Sequence, residues 1–275
     1  MTTQAPAAIP AALTIAGSDS SGGAGIQADL KTFAAFGVYG LSAITAVTAQ
    51  NTLGITASLA LPADLVTAQI EAVAGDDGVP RICATKTGML ATAAIVEAVA
   101  AAIRELDLPS VVVDPVMVST SGQRLLDEDG VRALCAELVP QALVVTPNIP
   151  EAEILSGRAI HSIEDARAAA VRIHEMGAAA VVITGGHAAG TEIVDLLFDG
   201  TAFTEFQITR IPSANTHGTG CTFASAVAAG LARGDSLADA TAHAQSYVAG
   251  AIAHGFAIGN GCGPLNHFWQ RTSYT

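Results

Sequence analysis

The strongest constraint on the fold is an alternation. Short β-branched apolar runs bounded by turn residues occur at Leu13–Ala16, Ala43–Thr48, Val111–Asp114, Leu143–Thr146 and Val181–Thr184. Among them lie Ala-rich segments of helical character at Ile26–Phe36, Ala63–Val73, Thr92–Leu106, Gly130–Leu138 and Ile163–Met176. Strand-length runs that are apolar throughout must be covered on both sides, which is the situation of a parallel sheet under helices. The spacing therefore predicts an α/β fold with a mostly parallel central sheet and helices on both faces. Beyond Thr184 the pattern changes: Glu192–Phe198 and Ala202–Ile211 flank Asp199-Gly200 and predict a hairpin. Two helices, Cys221–Ala232 and Leu237–His254, are predicted to close the chain. No linker or repeat interrupts the sequence, so residues 13–275 read as a single domain behind a loose leader at residues 1–12.

Charge excludes one class of partner. Twelve Lys and Arg against 25 Asp and Glu give a net charge of −13, a field that repels a nucleic-acid backbone. The only lysines are Lys31 and Lys86, so phosphate chemistry must draw on backbone amides, arginines or a metal. Cys83, Cys135, Cys221 and Cys262 show no paired spacing, which argues against a zinc site or disulfide framework and fits a cytoplasmic protein. The first ten residues carry no basic residue and are broken by Pro6 and Pro10, unlike a signal peptide. The uncharged stretch from Thr32 to Ala63 is long enough to cross a bilayer, but its Gly, Gln, Asn and Pro residues suit strand and loop rather than lipid. No membrane partner is expected.

Three segments could carry chemistry. The first, Ala16-Gly-Ser-Asp-Ser-Ser-Gly-Gly-Ala-Gly25, joins a strand to a helix, where open α/β sheets gather ligands. Gly23, Gly25 and Ala28 satisfy a loose dinucleotide glycine pattern, but the acidic residue required about 20 positions on is missing. Asp29 is either a substrate contact or a favourable charge near a helix N-terminus.

The second, Asn215-Thr-His-Gly-Thr-Gly-Cys-Thr222, opens a helix without a Walker lysine. Gly218 and Gly220 allow amides to converge on an anion, and the helix N-terminus adds positive potential. That potential would lower the Cys221 thiol pKa and make it a base or nucleophile; alternatively Cys221 is a small buried hydrophobe. The third, Thr146-Pro-Asn-Ile-Pro-Glu151 with Asp114-Pro-Val116, places oxygen ligands suited to Mg2+ at strand ends. Asn148 and Glu151 are equally the pair expected to cap a helix.

In combination, Leu13-Thr-Ile-Ala-Gly-Ser-Asp-Ser-Ser-Gly-Gly-Ala-Gly-Ile-Gln-Ala-Asp-Leu-Lys31, Ala49-Gln-Asn-Thr52, Lys86-Thr-Gly-Met-Leu90, Asp114-Pro-Val-Met117, Thr146-Pro-Asn148 and His217-Gly-Thr-Gly-Cys-Thr222 closely resemble the hydroxymethylpyrimidine/phosphomethylpyrimidine kinases of the ribokinase-like superfamily. The resemblance implies ATP- and Mg2+-dependent phosphorylation of 4-amino-5-hydroxymethyl-2-methylpyrimidine to its monophosphate and then its diphosphate, in thiamine biosynthesis. It implies Cys221 as the residue that activates the substrate hydroxyl, with Gly218 and Gly220 in the anion hole. Gln50 matches the glutamine that reads the pyrimidine, and an amide can both donate to a ring nitrogen and accept from an exocyclic amine. Gly17, Asp29, Met89 and Val116 are the further substrate-side candidates. Asn148, Thr184 and Gly186 are expected to bind nucleotide, and Glu151 and Asp114 to hold the metal. A homodimer is the usual assembly of such kinases.

The chain departs from the family at two positions. Many members carry lysine where this sequence has Thr120 and Thr184, a loss that bears on the second phosphorylation unless magnesium, loop amides or Arg124 compensate. The Ser- and Thr-rich segment Val118–Leu125 has the composition of a lid. Two other readings remain: a pyridoxal kinase, whose substrate lacks the exocyclic amine that Gln50 would read, and a vitamin-precursor binding protein without turnover.

Overall fold

The computed structural model describes residues 9–75, 80–119, 122–187 and 190–271. Among these described residues, nine strands form one sheet in the order β3-β2-β1-β4-β5-β6-β7-β8-β9. These are β1 (Ala11–Asp19), β2 (Tyr39–Asn51), β3 (Gly54–Ala60), β4 (Ile82–Thr87), β5 (Val111–Val113), β6 (Val144–Val145), β7 (Val181–Ile183), β8 (Glu192–Phe198) and β9 (Phe203–Thr209). From β2 through β7 all neighbours are parallel, whereas β3, β8 and β9 are antiparallel additions at the two edges. The hairpin predicted around Asp199-Gly200 is the β8–β9 pair.

Period-two alternation assigns each strand residue to a face. Leu13, Ile15, Val113, Val145 and Ile183 pack on one side. There they meet α2 (Ala63–Ala74), α3 (Ala93–Glu105), the short α4 (Glu128–Ala133) with its continuation through Leu138, α5 (Ile149–Ser156) and α6 (Ile163–His174). Ala12, Ala84, Val112, Val144 and Val182 face the other side. Here they are covered by α1 (Gly25–Ala35), α7 (Thr219–Ala232) and α8 (Leu237–Ala253). Alanines along α7, with Ala12 and Ala84 beneath, let this uncharged helix lie close to the sheet. No helix among the described residues is long and apolar enough to cross a membrane.

Several boundaries differ from the sequence expectation. The first strand begins at Ala11, and Ala11 and Ala12 are fully buried, so the last two residues of the expected leader belong to the sheet. Residues 1–8 of that leader lie outside the described residues. The expected strand 43–48 extends from Tyr39 to Asn51. Two strands were not predicted. β4 contains Lys86, which broke the apolar pattern, and β3 is an edge strand whose side chains are largely exposed.

Candidate active site

The carboxyl ends of the parallel strands open into a cavity of about 700 Å3. Gly17 and Asp19 from β1, Gln50 from β2, Met89 after β4, Asp114 and Val116 after β5, and Asn148 and Glu151 at α5 all line it. So do Thr184 and Gly186 after β7, and Gly218, Gly220 and Cys221 at the start of α7. Of the residues expected to act in catalysis or to bind substrate, nucleotide or metal, Asp29 alone stands outside the lining.

Asp29 is a buried ion-pair anchor, not a substrate contact. It is fully buried one turn inside α1 and accepts hydrogen bonds from Thr14 Oγ1 and Ser225 Oγ, both at 2.6 Å. Lys86 Nζ lies 3.1 Å from both of its oxygens and 3.6 Å from Asp114 Oδ2. Burial alone would lower the lysine pKa; the facing charges, Asp29 foremost, raise it above its ordinary value. The signal available in the sequence was an isolated lysine inside a strand-like run, which a buried sheet accepts only when paired.

The two carboxylates at the strand ends are strongly perturbed. Burial, and then the charge of Asp114, push Glu151 up to about 8. Burial also raises Asp114, against the pull of Lys86. Asp114 Oδ2 is buried without a hydrogen-bond partner, because 3.6 Å to Lys86 is an ion-pair separation too long for a hydrogen bond. Glu151 is also structural: its backbone N–H donates to Asn148 Oδ1 and its carboxylate accepts from the Asn148 N–H, both at 3.0 Å, forming the capping box of α5. The capping and cavity-lining roles coexist in one side chain.

Helix α7 begins abruptly. Gly218 holds φ +86°, the left-handed region, and a Cβ there would collide with the Gly23 carbonyl oxygen. The first regular backbone bond runs from Thr222 N–H to Gly218 O, which leaves the Gly220 and Cys221 amides at the helix N-terminus. Cys221 differs from the expectation in one respect. Burial dominates and pushes its thiol up to about 12, Lys86 only partly opposing it, so the helix N-terminus does not yield a resting thiolate.

Sequence reading missed three groups. His217 Nε2 lies 2.8 Å from Asp19 Oδ2 and 3.4 Å from the Gln50 amide, joining two loops far apart in sequence. Asp195, buried in β8, accepts from Gly185 N–H at 2.8 Å and from Gln245 Nε2 at 2.9 Å, fixing the turn that carries Gly186. Arg210 lines the cavity and donates to the Gly186 and Gly190 carbonyls at 2.9 and 2.8 Å. Arg124, the cation considered as compensation, is exposed, pairs with Glu128 at 3.7 Å and does not line the cavity. Thr120 and Ser121, within the expected lid, lie outside the described residues, while Val118 and Arg124 on either side form a bridge.

Comparison with known proteins agrees with this geometry. The family model of phosphomethylpyrimidine kinase matches residues 19–266. A hydroxymethylpyrimidine/phosphomethylpyrimidine kinase of Rhizobium meliloti is 51% identical over 260 residues, covering 94% of this chain and 96% of the relative. A thiamine biosynthesis bifunctional protein of Geobacter sulfurreducens is 50% identical over 255 residues, 93% of this chain but only 51% of that longer protein. Among solved structures, the ADP complex of Bacillus subtilis pyridoxal kinase superposes with a TM-score of 0.88 at 40% identity, covering 96% of this chain and all of its own. The mostly parallel α/β architecture is therefore ribokinase-like, and the chain belongs to the phosphomethylpyrimidine kinase family.

Proposed function

We propose that the protein transfers the γ-phosphoryl group of ATP to the hydroxymethyl oxygen of 4-amino-5-hydroxymethyl-2-methylpyrimidine, and a second phosphoryl group to the resulting monophosphate, supplying thiamine biosynthesis. The observation that carries this reading is a shared cavity: Gln50, the amide suited to an aminopyrimidine, opens on the same space as Cys221 and the free amides of α7. Met89 and Val116 supply apolar contact for the ring. Gly17 sets how closely the ring packs, since a Cβ there would press on Met89 Sδ at 3.1 Å. Asn148, Thr184 and Gly186 line the nucleotide side, where Arg210 is the one Lys or Arg among the described lining residues.

Asp114 and Glu151 fit a hydrated Mg2+. Both are acidic, buried and cavity-lining, and Asp114 Oδ2 lacks a hydrogen-bond partner. Among the described residues no three His, Cys, Asp or Glu converge as a complete ligand set, which suits an ion that keeps several waters and takes phosphate oxygens. When bound, the ion would neutralise charge on the transferring phosphoryl group. The chain itself orients the substrate hydroxyl at the Cys221 sulfur, presents the Gly220 and Cys221 amides to the developing negative charge, and lets the hydroxyl proton pass to Cys221 and its neighbour Asp114.

The test is a magnesium-dependent assay presenting hydroxymethylpyrimidine, its monophosphate and pyridoxal separately, with products identified by mass. Both pyrimidines should be phosphorylated. Turnover of pyridoxal alone would instead support the second reading, which the structural likeness to a pyridoxal kinase favours. Loss of transfer in every arm with retained pyrimidine binding would leave only a binding protein.

Thr184 stands at the nucleotide side of the cavity, bridged to Asn148. Thr184→Lys is expected to lower the KM for ATP several-fold by adding a cation beside the phosphates; unchanged steady-state kinetics would show that the threonine costs nothing. A homodimer is proposed through the β2–β3 edge, where Val47 and Leu59 pair across the strands and remain 46% and 68% exposed. A cytoplasmic location fits the four free cysteines.

A further inference from the structure

The hydrogen-bond partners of Gln50 over-determine its amide. Gln50 Oε1 stands 3.0 Å from Thr48 Oγ1, and Nε2 stands 3.4 Å from His217 Nε2. His217 Nε2 is also 2.8 Å from Asp19 Oδ2, and a carboxylate can only accept, so this imidazole nitrogen carries its hydrogen. The Gln50 NH2 group would then face another donor. At the other end, the single Thr48 hydroxyl hydrogen is committed to Ser18 O at 2.9 Å and cannot also serve Oε1. Half a turn of the amide resolves both conflicts: Nε2 donates to Thr48 Oγ1, and Oε1 faces the His217 N–H.

Asp19 holds this arrangement firmly. Its carboxylate also accepts from the Ser21 and Ala24 backbone N–H groups at 2.8 and 2.9 Å and from Ser21 Oγ at 2.9 Å. The pair His217–Asp19 therefore fixes beside one end of Gln50 an N–H already given to Asp19, which opposes an NH2 group there and tolerates an oxygen.

We infer that His217, held by Asp19, and Thr48 are positioning residues that lock the Gln50 amide in this half-turned orientation and so select 4-amino over 4-oxo pyrimidines. The inference rests on the kinase reading above. In the locked amide one Nε2 hydrogen and one Oε1 lone pair remain for substrate. Ring N3 of a 4-aminopyrimidine accepts the first, and the 4-amino group donates to the second. A 4-oxo pyrimidine presents the opposite order, N3–H and C4=O, and needs the amide orientation that His217 and Thr48 oppose. The ring cannot turn over to compensate, because its 5-hydroxymethyl arm must still reach Cys221.

The experiment compares kcat/KM for 4-amino- and 4-oxo-5-hydroxymethyl-2-methylpyrimidine in the wild type, Asp19→Asn and Thr48→Val, each also combined with Gln50→Ala. An asparagine at 19 can donate to Nε2 and move the imidazole hydrogen to Nδ1; a valine at 48 removes the acceptor at the other end. The wild type should prefer the amino compound by at least about a hundredfold, as sites built on hydrogen-bond complementarity do. Each single variant should lower that preference about tenfold, the effect of one hydrogen bond. In the Gln50→Ala background neither should change it further. Thr48→Val is nearly isosteric and keeps the comparison available where Asp19→Asn weakens its loop. Parallel loss of both activities at constant ratio, a wild type indifferent to the two compounds, or a ratio change that persists without Gln50 overturns the inference. A wild type that phosphorylates neither compound overturns the kinase reading itself.

Discussion

Lys86→Met is expected to destabilise the protein by about 3–5 kcal/mol, the cost of removing one partner from a buried ion pair. At about 2–4 °C per kcal/mol for a chain approaching this size, the melting temperature should fall by about 6–20 °C. Methionine fills much of the lysine volume, so the loss is electrostatic. Asp29 and Asp114 would remain buried without the cation that faces both, 3.1 and 3.6 Å away. The site is a junction: Thr14 in β1, Asp29 in α1, Lys86 in β4 and Ser225 in α7 meet at it, with Asp114 following β5. The pH dependence has a definite sign. Burial already raises Asp114, and loss of Lys86 raises it further, so its protonation as pH falls relieves the penalty. The deficit should be larger at pH 8 than at pH 5. Asp29→Asn in the Lys86→Met background should recover part of the loss. Thermal unfolding of the single and double variants at both pH values is the measurement; an unchanged melting temperature in Lys86→Met would show that the junction contributes nothing.

The parallel sheet was legible in the sequence because β-branched runs at 13–16, 43–48, 111–114, 143–146 and 181–184 leave no polar face and so must be covered twice. The same rule hid β4, since Lys86 interrupts the apolar run and its partners Asp29 and Asp114 come from two other elements. Edge strand β3 was hidden for the opposite reason: water and the lone β2 neighbour leave its pattern weakly constrained. At the site, glycine and cap motifs are local and could be read directly; the Asn148–Glu151 box and the α7 start are examples. Asp19–His217 could not be read so, because its partners are 198 positions apart and only the fold joins them. For Cys221 the helix position and the buried alternative pointed in opposite directions, and burial decides the thiol. The N-terminal potential is a local feature, whereas the burial that dominates its thiol comes from the surrounding tertiary structure.

Cys221→Ala is expected to lower kcat by about 10²- to 10⁴-fold, the usual contribution of a positioned proton acceptor. The KM for the pyrimidine should change little, because the thiol contributes mainly once the hydroxyl begins to lose its proton. With its thiol pushed up to about 12, Cys221 enters the reaction protonated at neutral pH. This is compatible with phosphoryl transfer, whose loose transition state makes the attacking hydroxyl acidic only as the new O–P bond forms. The proton can then move to sulfur as the thiol hydrogen moves to Asp114, which would meet the hydrated ion through water and so keep a carboxylate oxygen for the relay, its carboxyl being raised by burial. The alternative is a small thiolate fraction acting alone. The pH profile separates them: a relay requires only that Asp114 be ionised, so kcat should level off well below the thiol pKa, whereas thiolate alone would make kcat climb about tenfold per pH unit toward that value. Asp114→Asn provides the cross-check. In the relay it should cost nearly as much as Cys221→Ala and add little to it, since groups acting as one unit are not additive. A profile that keeps climbing, or fully additive losses, would assign the proton to Cys221 by itself.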